Sequence, residues 1–135
     1  MDMPQKGNSE VTTLLSCAII LGMIFKDIPN QNEAAKVAED LLGEEPKAAL
    51  KKFCRTLKMR GRIKKADLSR ISENQLPLAV RTNSGLWFVL AKLSDTGALI
   101  QRPGQQTPEE ITLEQLDQLW GGTIMICAGR NRTKG

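Results

Sequence analysis

Apolar residues divide the chain into two halves. Up to about residue 58 they recur at helical spacing, and from Leu76 onward they alternate or run together as in strands. Ser9 is a candidate N-cap for a helix from about Glu10 to Phe25. Its Leu14, Leu15, Ala18, Ile19, Leu21 and Ile24 leave almost no polar face, so this helix belongs in the middle of a core. A second helix is predicted from about Asn32 to Leu42, with Ala34, Val37, Ala38 and Leu41 in register and Gly43 as its stop. Pro46 suits the first turn of a third helix to about Lys58, with Leu50, Phe53, Cys54 and Leu57 as its inner stripe.

Strands are predicted at "LPLAVR", "LWFVLAKL", "GALIQ" and "TIMICA", separated by turn-forming segments. Within "SGLWFVLAKL", Leu86, Phe88 and Leu90 point one way and Trp87, Val89 and Ala91 the other, so the strand is covered on both faces. Before the last strand, "ITLEQLDQLWG" reads as a short helix capped by Thr112, with Gln115 in the capping-box position. Helices first and a mostly antiparallel sheet afterwards make an α+β domain, taken as residues 9–129 after a tail over residues 1–8.

The 135 residues suffice for one domain with a real core, and the formal charge of +4 indicates only a weak preference for acidic partners. The distribution of charge says more than its total. Lys47, Lys51, Arg55 and Lys58 line the outer face of the third helix, and Arg60, Arg62, Lys64 and Lys65 follow in a segment that reads as extended. Such a stripe is either a solvated helix face or a surface for phosphates or an acidic polypeptide. For nucleic acid the signal is poor, since there is no tyrosine and few aromatics lie near the basic run.

The chain contains no histidine, which excludes Cys-His and Ser-His-Asp catalysis and every histidine-containing zinc site within it. Cys17, Cys54 and Cys127 form no C-x-x-C pair and sit among apolar residues, as buried free thiols do. No metal site and no paired carboxylates for acid-base chemistry are found. "VTTLLSCAIILGMIF" falls short of the roughly 20 apolar residues of a membrane span. Two features remain open between packing and function: Trp87 at the start of its strand, and the "LIQRPGQQTP" turn with Arg102 before Pro103.

"LPLAVRTNSGLWFVLAKL", followed by "GALIQRPGQQTPEEITLEQLDQLWGGTIMICA", resembles the second half of the bacteriocin-processing (double-glycine) cysteine peptidases. The resemblance is stronger to their degenerate relatives, the N-terminal peptidase-like domains of haemolysin-type ABC transporters in type I secretion. It implies a papain-like fold. It also sets Thr13 at the nucleophile position, Trp87 at that of the histidine and Arg102 at that of the aspartate, whereas Cys17 matches a later, non-catalytic position. None of the three groups can perform its counterpart's role.

On that resemblance the expected function is a non-catalytic docking domain on the cytoplasmic side of a bacterial inner membrane. It would hold an unfolded substrate of the RTX toxin or adhesin type, with the rest of the transporter and its membrane fusion partner as further partners. Trp87 is the expected aromatic platform, with Thr13 and Arg102 as its polar walls and Arg81 on the neighbouring strand. Lys51, Arg55 and Lys58 would attract acidic substrate from farther away. The domain is expected to be monomeric in isolation and to need no cofactor, since ATP and magnesium belong to a nucleotide-binding domain elsewhere. "RNRTKG" would begin the linker to a membrane region. The alternative is a nucleic-acid or adaptor module using the basic third helix.

Overall fold

The computed structural model describes residues 6–129. Three helices, α1 (Lys6–Ile24), α2 (Gln31–Glu39) and α3 (Pro46–Thr56), precede a sheet made of β1 (Met59–Lys65), β2 (Leu78–Thr82), β3 (Trp87–Leu93), β4 (Ala98–Gln101), β5 (Glu109–Ile111) and β6 (Trp120–Gly129), with α4 (Leu113–Leu119) between the last two strands. The six strands run in the order β1-β6-β2-β3-β4-β5, and every neighbouring pair is antiparallel. This is the α+β arrangement expected from the sequence.

The first helix is buried along most of its length, with no exposed surface on Val11, Leu14, Leu15, Cys17, Ala18 or Leu21, but Ile24, expected in the core, is 48% exposed at its end. A buried leucine contributes about 2 kcal/mol relative to an exposed one, so α1 anchors the domain. It starts at Lys6 rather than near Glu10, so Ser9 lies inside it and caps nothing. Once the buried stretch from Val11 has nucleated the helix, each further residue costs only propagation. Residues 1–5 of the expected tail and all of the expected linker at residues 130–135 lie outside the described residues. At the other end Lys26 adopts a left-handed φ of 62°, and the Asp27 and Ile28 amides donate to the Gly22 carbonyl, closing the helix.

The second helix is capped by Asn30, whose side chain accepts from the Glu33 amide at 3.1 Å, and it ends three residues earlier than expected. Residues 40–43 form turns that leave Leu41 and Leu42 half-buried. α3 ends at Thr56 because Lys58 turns left-handed, with φ 59°, to redirect the chain into β1.

The sheet has two apolar faces. Trp87, Val89, Ala79 and Met125 join the core beneath α1 to α3, whereas Phe88, Leu90, Val80 and Ile124 join a second core closed by Ile71, Leu116 and Ile111. The expected division of the β3 strand between two faces holds from Trp87 to Leu90, but the pairing shifts register between Leu90 and Lys92, so Ala91 joins neither core and Leu93 packs on the second. Leu86 is 43% exposed and precedes the strand, because the Thr82 amide donates to its carbonyl at 2.7 Å in a tight turn. The capping box of Thr112 and Gln115 on α4 forms as expected.

Candidate functional site

α1 passes over the start of β3, and the contact is polar. The Trp87 amide donates to Thr13 Oγ1 at 3.0 Å, and that hydroxyl donates in turn toward the Ser9 or Glu10 carbonyl, each at 3.2 Å. Thr13 and Trp87, the residues placed by resemblance at the nucleophile and histidine positions, are thus direct neighbours. Trp87 pairs across the sheet with Arg81, so both side chains stand on the face toward α1. Arg81 Nε donates to Glu10 Oε2 at 2.8 Å and Nη2 to Oε1 at 3.4 Å, and the pair raises the arginine pKa above its ordinary value.

Gly85 lies beside that pair. Its φ of 89° is the left-handed turn geometry, and a Cβ there would stand 3.3 Å from Arg81 Nη2. Glu10 was not singled out from the sequence. The available signal was its place three residues before Thr13, which on a helix puts both on one face.

Trp87 requires a correction. It was expected to present an aromatic platform, yet it is only 2% exposed and belongs to the core under α1. The hydrogen bond from the Trp87 amide to Thr13 holds the helix over the strand start, and the ring is covered. Its Nε1 is buried without a hydrogen-bond partner among the described residues. Leu86, one residue earlier, is the apolar side chain that reaches solvent here.

Arg102 is not brought into hydrogen-bond contact with Thr13 or Trp87. Its Nε donates to Glu109 Oε1 at 3.1 Å, on the short strand β5 that the sequence pattern did not reveal. At the end of β4, Gln101 is the residue paired with Val89 and so placed on the helix-side face. Its amide donates to the Gln105 carbonyl at 2.5 Å and to the Arg102 carbonyl at 3.4 Å.

The basic residues form a separate surface. Lys51, Arg55 and Lys58 are exposed on and after α3, which packs on β1, at the end of the sheet. Two strands lie between β1 and β3, a separation of roughly 14 Å at ordinary strand spacing. An open groove of about 800 Å³, lined among others by Leu76, Leu93, Ile111, Glu73 and Glu110, lies near the opposite end of β3 from Trp87.

The three thiols of the chain are free and buried. Cys17 is fully buried, and burial pushes its pKa far above the ordinary thiol range. Cys54 and Cys127 are buried with their sulfurs 3.9 Å apart, and their hydrogen bond, with burial second, raises the pKa of Cys127. Among the described residues no group of three or more His, Cys, Asp or Glu is placed to hold a metal, and no helix is long and apolar enough to cross a membrane.

Comparison with known proteins agrees with this fold. The family model for the peptidase C39 family matches residues 18–132, a span that includes Trp87 and Arg102 but not Thr13. The crystal structure of the N-terminal peptidase C39 like domain of the toxin secretion ATP-binding protein from Vibrio parahaemolyticus is similar, with a TM-score of 0.70 at 19% identity over 87% of this chain and 97% of that one. A double glycine motif protease from an AMS/PCAT transporter, in complex with the leader peptide, gives 0.67 at 14% identity over 96% and 89%. The peptidase domain of Streptococcus ComA, a bi-functional ABC transporter involved in quorum sensing, gives 0.65 at 14% identity over 96% and 97%. At these identities the likeness concerns the fold. No curated protein sequence matches the chain significantly.

Proposed function

Because the chain belongs to the peptidase C39 family, we propose that it is a non-catalytic member, the docking domain of a type I secretion ABC transporter that holds an unfolded export substrate before translocation. One observation carries the reading. The strand start at which the resemblance sets the general base holds a buried Trp87 tied to Thr13, in a chain without a histidine. Thiolate attack needs an imidazole to take the proton and a third group to orient it. Here the helix contributes a hydroxyl already committed to the Trp87 amide, and its thiol at Cys17 is buried and held protonated.

The similar folds support the setting, since they are parts of transporters and one of them is a protease in complex with a leader peptide. The domain would then lie on the cytoplasmic side of the inner membrane, beside the rest of the transporter and its membrane fusion partner. ATP and magnesium would act in the nucleotide-binding part. Substrates of the RTX type, rich in glycine and aspartate and unfolded where calcium is scarce, suit the exposed Leu86 near the Thr13 junction, beside the half-buried Arg81 held by Glu10, and the exposed cations Lys51, Arg55 and Lys58. Many weak contacts would replace one deep cleft.

Two measurements test this. Double-glycine leader peptides should survive incubation with the domain, and turnover would overturn the non-catalytic reading. In an amide NMR titration with a C-terminal repeat fragment of a co-encoded secreted protein, shifts should appear with the calcium-free, unfolded form and not with the folded one. Silence with both forms would remove the docking role. Steeply salt-dependent binding of RNA, without binding of the unfolded protein, would assign the basic surface to nucleic acid instead.

A further inference from the structure

β1 ends the sheet, so β6 binds one of its backbone edges and, among the described residues, no strand binds the other. Its pairing with β6 is regular from Met59 opposite Gly129 to Lys65 opposite Thr123, without a bulge or a proline. A straight, seven-residue edge of this kind is a template for another strand. At the opposite end of the sheet β5 has only three residues and offers much less.

The side chains of β1 decide what can be added. Gly61 and Ile63 face the helices: a Cβ on Gly61 would stand 2.7 Å from Cys54 Sγ and 3.2 Å from Leu50 Cδ2, and Ile63 packs on the helix-side core. By alternation Arg60, Arg62 and Lys64 stand on the other face, and all three are exposed. They are two residues apart, about 6.8 Å, which is also the repeat of same-face side chains on any strand laid alongside.

A second row of cations flanks the helix side. Leu50 and Cys54 are the α3 residues over Gly61, and α1 packs against α3 as well. At 100° per residue, Lys51 lies next to Leu50 and Arg55 next to Cys54 on the side turned away from Ala49 and Phe53, which are buried in the core. Lys58, exposed at its left-handed turn, continues the row into β1. The ion pairs among the described residues engage Lys52, Arg81 and Arg102 and none of these six cations.

We propose that the free edge of β1 binds an extended acidic polypeptide as a seventh strand, with its alternate carboxylates beside Arg60, Arg62 and Lys64. Backbone hydrogen bonds supply the pairing, and the two cation rows supply selectivity. The same charges repel a second copy of this edge, so the strand is kept from self-association while remaining open to an acidic partner. This rests on the docking reading and gives it a place and a geometry.

The test uses the 135-residue chain, isotope-labelled, and a twelve-residue peptide of alternating Glu and Thr. Binding should shift the amides of residues 59–65 and slow the solvent exchange of those on the outer edge. The triple variant R60E/R62E/K64E should bind about tenfold or more weakly, with an otherwise unchanged spectrum. N-methylation of the peptide backbone nitrogens, of the Glu set in one peptide and of the Thr set in another, leaves the charges and removes the donors, and should weaken binding as severely in the peptide whose methylated set faces β1. Undiminished binding of both methylated peptides, or shifts centred on Leu86 and Arg81 with β1 silent, would overturn the proposal. An unfolded export substrate that binds around Leu86 while β1 stays silent would keep the docking role and remove the edge. An edge that binds the acidic peptide but ignores the export substrate would do the reverse.

Discussion

The Thr13 to Trp87 junction and the β1 edge belong to one sheet, two strands apart, and are built by opposite rules. At the junction the Thr13 hydroxyl is spent on the Trp87 amide and Arg81 on Glu10, and the Trp87 Nε1 is shut in the core without a partner among the described residues. At the edge a regular strand is paired on one side only, and its cations have no internal partners among the described residues. The position at which the resemblance sets the family's chemistry is a packed contact between α1 and β3. The positions that carry no family motif are the ones free to meet a partner. The difference teaches that a site set by resemblance should be judged by what its groups have to offer.

The sharpest way to break this comparison is to treat the junction as a binding surface and find it dispensable. Trp87→Ala should instead cost about 3–5 kcal/mol of folding stability in urea denaturation, because it empties a fully packed position. Trp87→Phe should cost much less than its lost volume suggests, since it also removes the Nε1 donor that has no partner. If Trp87→Ala left stability within about 0.5 kcal/mol of the parent, the ring would not be the joint described here.

A smaller effect separates the hydroxyl from the methyl of Thr13. Thr13→Val keeps the shape and removes the acceptor of the Trp87 amide, so it should cost about 1–3 kcal/mol, while Thr13→Ser should recover most of that loss. Equal stability of the two variants would mean that packing alone holds α1 on β3.

How much of this was legible in the sequence follows from what each pattern encodes. The two-sided burial of β3 was readable because alternation reports faces directly, and α1 was readable because a helix without a polar stripe has to be central. Strand order is not encoded in alternation, so the basic segment could be read as extended but not as the end of the sheet. β5 was invisible because Glu109 and Glu110 are poor strand formers, held in the ladder by pairing with β4. The proximity of Thr13 to Trp87 came through resemblance alone, and periodicity gave no hint that the helix would cover the ring. The Glu10 to Arg81 pair was missed for the same reason, since it joins residues 71 apart in the chain.

The smallest expected effect lies at the edge and is the most discriminating. Arg62→Glu reverses a charge on an exposed side chain that makes no ion pair among the described residues, so folding stability should stay within about 0.5 kcal/mol of the parent. The substitution also places a carboxylate between Arg60 and Lys64, which relieves repulsion along that face and offsets the weaker strand propensity of glutamate. A loss comparable to that of Thr13→Val would show that Arg62 is already engaged in the fold. The edge would then be a second joint, and the contrast between the two regions would disappear.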